Sequence, residues 1–206
     1  MNLTKPSFNE EQIYWNQNIN IVIGMDEVGR GAFAGPIVAA GVIYKPGFQH
    51  KFLDKVNDSK LLKPKTREEL SVFIKENSAW AIEQIDLDFI NKFGIGRANF
   101  EVFRKVLEKL LPKDEYFVLV DGFDLKIKNQ KGITKGDRKS LSIASASIIA
   151  KVFRDEIMTK SHSLFPDYFF NENKGYGTLK HRDAIKKNGL CRFHRTSFDL
   201  TKHFSS

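Results

Sequence analysis

With 206 residues, 41% hydrophobic and 28% charged, the chain is long enough to bury a core of its own without disulfides or structural metal. Its one cysteine, Cys191, excludes an intramolecular disulfide and any multi-cysteine zinc site; with no apolar run as long as a secretion signal or membrane span, a cytoplasmic protein with no membrane partner is expected. The 33 Lys and Arg against 25 Asp and Glu, a net charge of +8, suit a polyanionic partner.

Residues 1–20 read as an N-terminal extension. The apolar runs at 21–25 and 37–44 predict two buried strands, with Gly29, Gly31 and Gly35 between them shaping a turn or strand entry. After the polar Asn57, Asp58, Ser59 and Lys60, residues 65–76 have the spacing of an amphipathic helix, with Leu70, Phe73 and Ile74 on one side. Residues 78–85 alternate as a strand does, and a single helix is expected over 88–111, ended by Pro112. The run at 116–120 predicts a strand that stops abruptly at Asp121 and Gly122. Beyond a basic loop, residues 140–165 predict a long helix with Ile143, Ala144, Ile148, Val152 and Phe153 facing the core. A last helix is predicted over 179–187, closed by Gly189. The order of elements predicts an α/β domain with a mixed sheet over 21–170. From Asn171 to Ser206 eight Lys or Arg stand against three acids, so the segment 171–206 is expected to be a basic helical extension that completes a substrate site.

Two predicted strands end in acids, the first at Asp26 and Glu27 and the middle one at Asp121, and strand ends are where ligands gather in α/β sheets. Neighbouring side chains on a regular strand point to opposite faces, so Asp26 and Glu27 share a site only if Glu27 lies at a frayed end or a bend. Asp137, just before the long helix, reads by itself as a helix cap or a solvated turn residue. Clustered carboxylates repel one another unless a cation neutralises them, which points to Mg²⁺ or Mn²⁺ rather than zinc. The five histidines, His50, His162, His181, His194 and His203, are scattered, and each reads as a surface or structural residue.

Several motifs occur in one order along the chain: GMDEVGRGAFAGP from Gly24 to Pro36, NDSK from Asn57 to Lys60, Val120 to Gly122, and Lys135 to Asp137 leading into SASIIAKVFRD. KGYGT from Lys174 and HRTSF from His194 follow. This ordered set resembles the ribonuclease HII family over nearly the whole chain. The resemblance implies a ribonuclease H-like fold and assigns Asp26, Glu27, Asp121 and Asp137 as catalytic acids that bind two Mn²⁺ or Mg²⁺ ions. It implies hydrolysis of RNA paired with DNA and of ribonucleotides embedded in duplex DNA, leaving 5′-phosphate and 3′-hydroxyl ends. Asp155 is left outside that set, since pairing with Lys151 accounts for it.

Telling ribose from deoxyribose requires contact with the 2′-hydroxyl. Gly29, Arg30 and Gly31 suit that task, because glycine lets the backbone approach the sugar and arginine grips a phosphate. The resemblance adds Tyr176, and Ser59, Lys60, Lys174 and Arg195 complete the expected substrate contacts. The phenylalanines are expected in the core. The related ribonuclease HIII normally carries a large N-terminal domain, for which 25 residues before Asp26 leave no room. A binding module that kept the fold would be expected to lack one of the four acids; all four are present. A junction resolvase of the same fold is set apart only by the Gly-Arg-Gly and tyrosine features. A monomer is the default expectation, and Asp199 to Phe204 is too unspecific to name a sliding-clamp partner.

Overall fold

The computed structural model describes residues 5–110 and 114–200. Its centre is a five-stranded sheet in the order β3-β2-β1-β4-β5, built from β1 (Ile21–Val28), β2 (Ile37–Ile43), β3 (Ala79–Ile85), β4 (Tyr116–Asp121) and β5 (Gln130–Ile133). The pairs β1–β2 and β2–β3 are antiparallel, whereas β1–β4 and β4–β5 are parallel, so the sheet is mixed as the order of elements implied. Seven helices accompany it among the described residues: α1 (Asn9–Trp15), α2 (Pro64–Asn77), α3 (Leu87–Phe93), α4 (Ile95–Leu110), α5 (Leu141–His162), α6 (Phe170–Asn173) and α7 (Leu179–Asn188).

The period-2 alternation of the strands feeds two separate cores. Val38, Ala40 and Val42 of β2 face α2 and α5, meeting Leu70, Ile74, Ala144 and Ile148. Ile23, Met25, Ile37 and Val120 face the other way, onto Ile90, Val102, Phe103 and Val106 of α3 and α4. The first half of α5, Leu141 through Ala150, is buried on every side, which a helix tolerates only as a core element.

The helix expected over 88–111 is two helices. Asp86 caps α3 by accepting from the Phe89 N–H, and Gly94 ends it at φ +82°, a conformation that favours glycine and breaks the α-helical path before α4 begins. The periodicity runs through the break because both pieces bury their apolar residues against the same sheet face. Leu111 and Pro112 lie outside the described residues. β5, α1 and α6 were not anticipated. In the N-terminal segment, Trp15 of α1 packs with Val22, Leu119, Ile133 and Ile143.

Gly24 decides how closely α5 sits on the sheet. A Cβ there would lie 2.3 Å from the Ser142 carbonyl carbon and 2.4 Å from the Ile143 nitrogen, so β1 and the first turn of α5 touch backbone to backbone. Glu11 secures that turn: its Oε1 accepts from the Ser140 and Ser142 hydroxyls, each at 2.6 Å, and from the Ser142 N–H at 2.9 Å, at the positive end of the helix dipole. Gly24→Ala is therefore expected to lower stability by about 1–3 kcal/mol through overpacking. A melting temperature several degrees below the parent, about 2–4 °C per kcal/mol for a chain of this size, would show it; an unchanged one would mean that α5 does not rest on β1 there.

Candidate active site

The β1–β4 ladder ends at Met25↔Val120, while β1 runs on beside β2 to Val28. Beyond that end the sheet opens, and the carboxylates occupy the opening. By strand alternation Asp26 belongs to the α5 face with Val22 and Gly24, and Glu27 to the face of Met25. Both reach the same cleft because no β4 residue fills the space between them. Asp121, the last residue of β4, completes the mouth.

The cleft has a volume of about 480 Å³, and Asp26, Glu27 and Asp121 line it together with Gly29, Arg30, Gly31, Ser59, Lys60 and Tyr176. Asp26 is buried, and its Oδ1 accepts from the Glu27 N–H at 2.8 Å. Burial first, and then the charges of Glu27 and Asp121, hold its carboxyl well above the ordinary carboxylate range, against a hydrogen bond from Ser147. Burial likewise pushes Glu27 up to about 7, opposed by Arg30, 3.9 Å away, and reinforced by Asp121.

Asp137 sits in a short 3-10 turn, Gly136–Arg138, entered through Lys135 at φ +56°. The Gly136 N–H donates to Asp121 Oδ1 at 2.7 Å, which brings this turn up against the end of β4. Asp137 is buried too, and its carboxyl is raised by burial and then by the charges of Asp121 and Asp58. Asp58, the acid of the NDSK motif, ties the site's two turns together. It accepts from Arg138 Nε and Nη2 at 3.2 and 2.9 Å and from the Lys60 N–H at 3.0 Å. Ser147 was missed; it meets Ser59 at 3.0 Å between hydroxyl oxygens. The acid inside NDSK and a serine about two helical turns from the cap were the available signals.

Two expected substrate contacts lie elsewhere. Arg195 is fully buried, and its guanidinium donates to the Gly35 carbonyl from Nε and Nη2 (3.0 and 2.8 Å) and to the Arg30 carbonyl from Nη1 (3.0 Å). Buried and bonded to these carbonyls, it does not line the cleft. Lys174 faces a neighbouring groove of about 790 Å³ between α2, α5 and α6, where its ammonium donates to Thr159 Oγ1 and the Asn171 carbonyl at 2.6 and 2.8 Å. That groove shares Lys151 with the cleft, but its charges are balanced and none of the four acids enters it. The histidines are less scattered than their spacing suggested, since His181 and His194 form a buried pair, Nε2 to Nε2 at 3.1 Å.

Among the described residues no three His, Cys, Asp or Glu side chains are drawn together closely enough to hold an ion as they stand. The donor set nevertheless fits a hard divalent cation. It is oxygen only, its members repel one another, and Asp26, Glu27 and Asp137 all have raised proton affinity, which a bound cation would relieve.

The ribonuclease HII family model matches residues 23–201. The chain belongs to the ribonuclease HII family. It is 49% identical over 187 residues to the ribonuclease HII of Clostridium acetobutylicum, covering 87% of this chain and 72% of that one. Among solved structures it is similar to the PCNA:RNase HII complex from Archaeoglobus fulgidus, with TM-score 0.72, 25% identity, and coverage of 89% of this chain and 95% of that one. It shares its fold with Bst-RNase HIII in complex with Mn²⁺, at TM-score 0.71, 20% identity, and coverage of 89% of this chain and 68% of that one. The sheet and its helices are thus a ribonuclease H-like fold, and as a member of that family the protein is a metal-dependent ribonuclease, a hydrolase. No described helix is long and apolar enough to cross a membrane.

Proposed function

We propose that this member of the family cuts RNA in RNA/DNA hybrids and, in duplex DNA, cuts on the 5′ side of an embedded ribonucleotide, leaving 5′-phosphate and 3′-hydroxyl ends. The observation that carries the reading is the sharing of one cleft by three strand-end acids, the Gly29–Gly31 loop and Tyr176. Two Mn²⁺ or Mg²⁺ ions held by Asp26, Glu27, Asp121 and Asp137 would supply an activated water and charge neutralisation at the departing 3′-oxygen. The chain's own residues position the substrate. Exposed Arg30 and Lys60 flank the acids and can each hold a phosphate, offsetting the repulsion between backbone and carboxylates. The exposed Gly31, with open space where a Cβ would stand, lets the backbone reach the sugar, whereas Gly29, at φ +91°, holds the turn and leaves room for the Arg154 guanidinium behind it. The Tyr176 ring stands 5.4 Å from the Arg154 guanidinium and 5.8 Å from the Lys151 ammonium, and it lines the same cleft, where it can pack against the ribose.

The protein acts as a monomer in this reading. The Archaeoglobus fulgidus relative assembles with PCNA; the tail from Thr201, where a clamp-binding peptide would fall, lies outside the described residues.

The test is cleavage of a labelled DNA duplex carrying one ribonucleotide, in Mg²⁺, in Mn²⁺ and in chelator, beside an all-DNA control. A metal-dependent cut on the 5′ side of the ribonucleotide, absent from the control, is expected. Cleavage of a long hybrid alone would overturn the embedded-ribonucleotide half of the reading. Tyr176→Ala is expected to slow cleavage at the single ribonucleotide by roughly tenfold and to affect a long hybrid less, because a misplaced sugar is costly when only one can be read. Equal losses on both substrates would remove Tyr176 from recognition.

A further inference from the structure

We propose that His194 and Arg195 are positioning residues that set, from behind, the spacing between the Gly29–Gly31 loop and the Tyr176 ring, and with it the discrimination of ribose from deoxyribose. This rests on the role given above to that loop and that ring. Neither residue touches the cleft, and each is held by a chain of hydrogen bonds whose far end is the backbone of a recognition element.

The His194 chain ends at Tyr176. His181 Nδ1 lies 2.9 Å from the Tyr176 carbonyl oxygen, which can only accept, so Nδ1 carries the proton. A neutral His181 then accepts at Nε2, and the group facing it at 3.1 Å, His194 Nε2, must be the donor. His194 Nδ1 is left as an acceptor, and the Cys191 N–H points at it from 3.0 Å. One proton arrangement satisfies all three links. Burial keeps both rings neutral: it lowers the affinity of His181 for a second proton and pulls His194 down to about 4, with His181 adding to the shift. The backbone at 191 is thereby tied to the peptide that follows Tyr176.

The Arg195 chain ends at the loop. Its Nη1 donates to the Arg30 carbonyl, which belongs to the same peptide group as the Gly31 N–H at the edge of the cleft. Fixing and polarising that carbonyl orients the amide on its other side and strengthens it as a donor. The Arg195 backbone N–H donates to the Phe33 carbonyl at 2.8 Å, and Ala34 pairs with His194 in an isolated antiparallel bridge. The Phe33 and Ala34 N–H groups both donate to the Gly175 carbonyl, at 2.8 and 3.2 Å, next to Tyr176. Two consecutive residues of one segment therefore brace both walls of the recognition site.

A double-mutant cycle tests this with the full-length protein. His194→Gln, Arg195→Lys and Tyr176→Ala are made singly, and the first two are each combined with the third. Single-turnover cleavage and duplex affinity are measured on a duplex with one ribonucleotide and on a long hybrid. His194→Gln and Arg195→Lys are each expected to slow cleavage at the single ribonucleotide about tenfold, with duplex affinity little changed. The His194→Gln/Tyr176→Ala variant is expected to be no slower than Tyr176→Ala alone, because His194 acts through Tyr176. Losses that simply multiply in that variant, or that fall equally on both substrates, would overturn the inference and leave these residues as fold supports. Wild-type behaviour of Tyr176→Ala itself would overturn the recognition role and the inference together, and so is distinguishable from the first failure. If Arg195→Lys melts far below the parent, His194→Gln carries the test alone.

Discussion

Asp121→Asn is expected to lower cleavage at least about 10³-fold while leaving duplex binding intact, a loss of roughly 4 kcal/mol of transition-state stabilisation. The substitution changes charge and little else. Asp121 Oδ1 accepts from the Gly136 N–H, and an asparagine oxygen accepts that bond as well, so the turn carrying Asp137 keeps its place. Binding survives because Asp121 belongs to the negative wall of the cleft and repels phosphate; its removal takes away an opposing term. Fluorescence anisotropy with a labelled duplex, beside single-turnover cleavage in Mn²⁺, separates the two effects. Cleavage within a few-fold of the parent would exclude Asp121 from the metal site.

Activity is expected to fall about tenfold for each pH unit below about 7, because protons and cations compete for the same oxygens. The same groups set an opposite trend in stability. Glu27 is raised from 4.5 to about 7, so the folded state binds the proton more tightly than the unfolded state between those limits. Its contribution to stability is fully present below pH 4.5 and is lost as the pH rises through 7, a swing on the order of 3 kcal/mol at most. In chelator, Glu27→Gln is therefore expected to melt several degrees above the parent at pH 8 and no higher at pH 5. Adding Mn²⁺ should reverse the order at pH 8, since only the parent has the full ligand set. A Glu27→Gln protein that melts below the parent at pH 8 in chelator would show that the cluster is not strained.

Much of this was legible from residue order alone. The runs at 21–25 and 37–44 read as strands and are strands, and carboxylates standing where apolar runs stop could be read as strand-end ligands. Other features depend on contacts that no local pattern encodes. β5 is four residues, Gln-Lys-Gly-Ile, with Lys131 and Gly132 exposed, so it has neither alternation nor apolar content to announce it. Asp137 looks like any acid near a helix start until the Gly136 amide meets Asp121, 15 residues away. Arg195 was misread for a physical reason. An arginine in a basic tail resembles a phosphate contact, and only the chain's return to Arg30 and Gly35, some 160 residues upstream, reveals carbonyl partners instead.

The bracing of the cleft by residues 175, 194 and 195 separates two properties that a nuclease could have built on one support. The acids are fixed by β1, β4 and the turn before α5, whereas the recognition walls are tied to the far end of the chain. On the recognition role proposed for the loop and Tyr176, substitutions among the C-terminal struts would retune which sugars are accepted while the hydrolytic core stays as it is. Selectivity would then be free to change without loss of the hydrolytic core, and an engineer seeking a more permissive or a stricter enzyme would begin at the back of the loop.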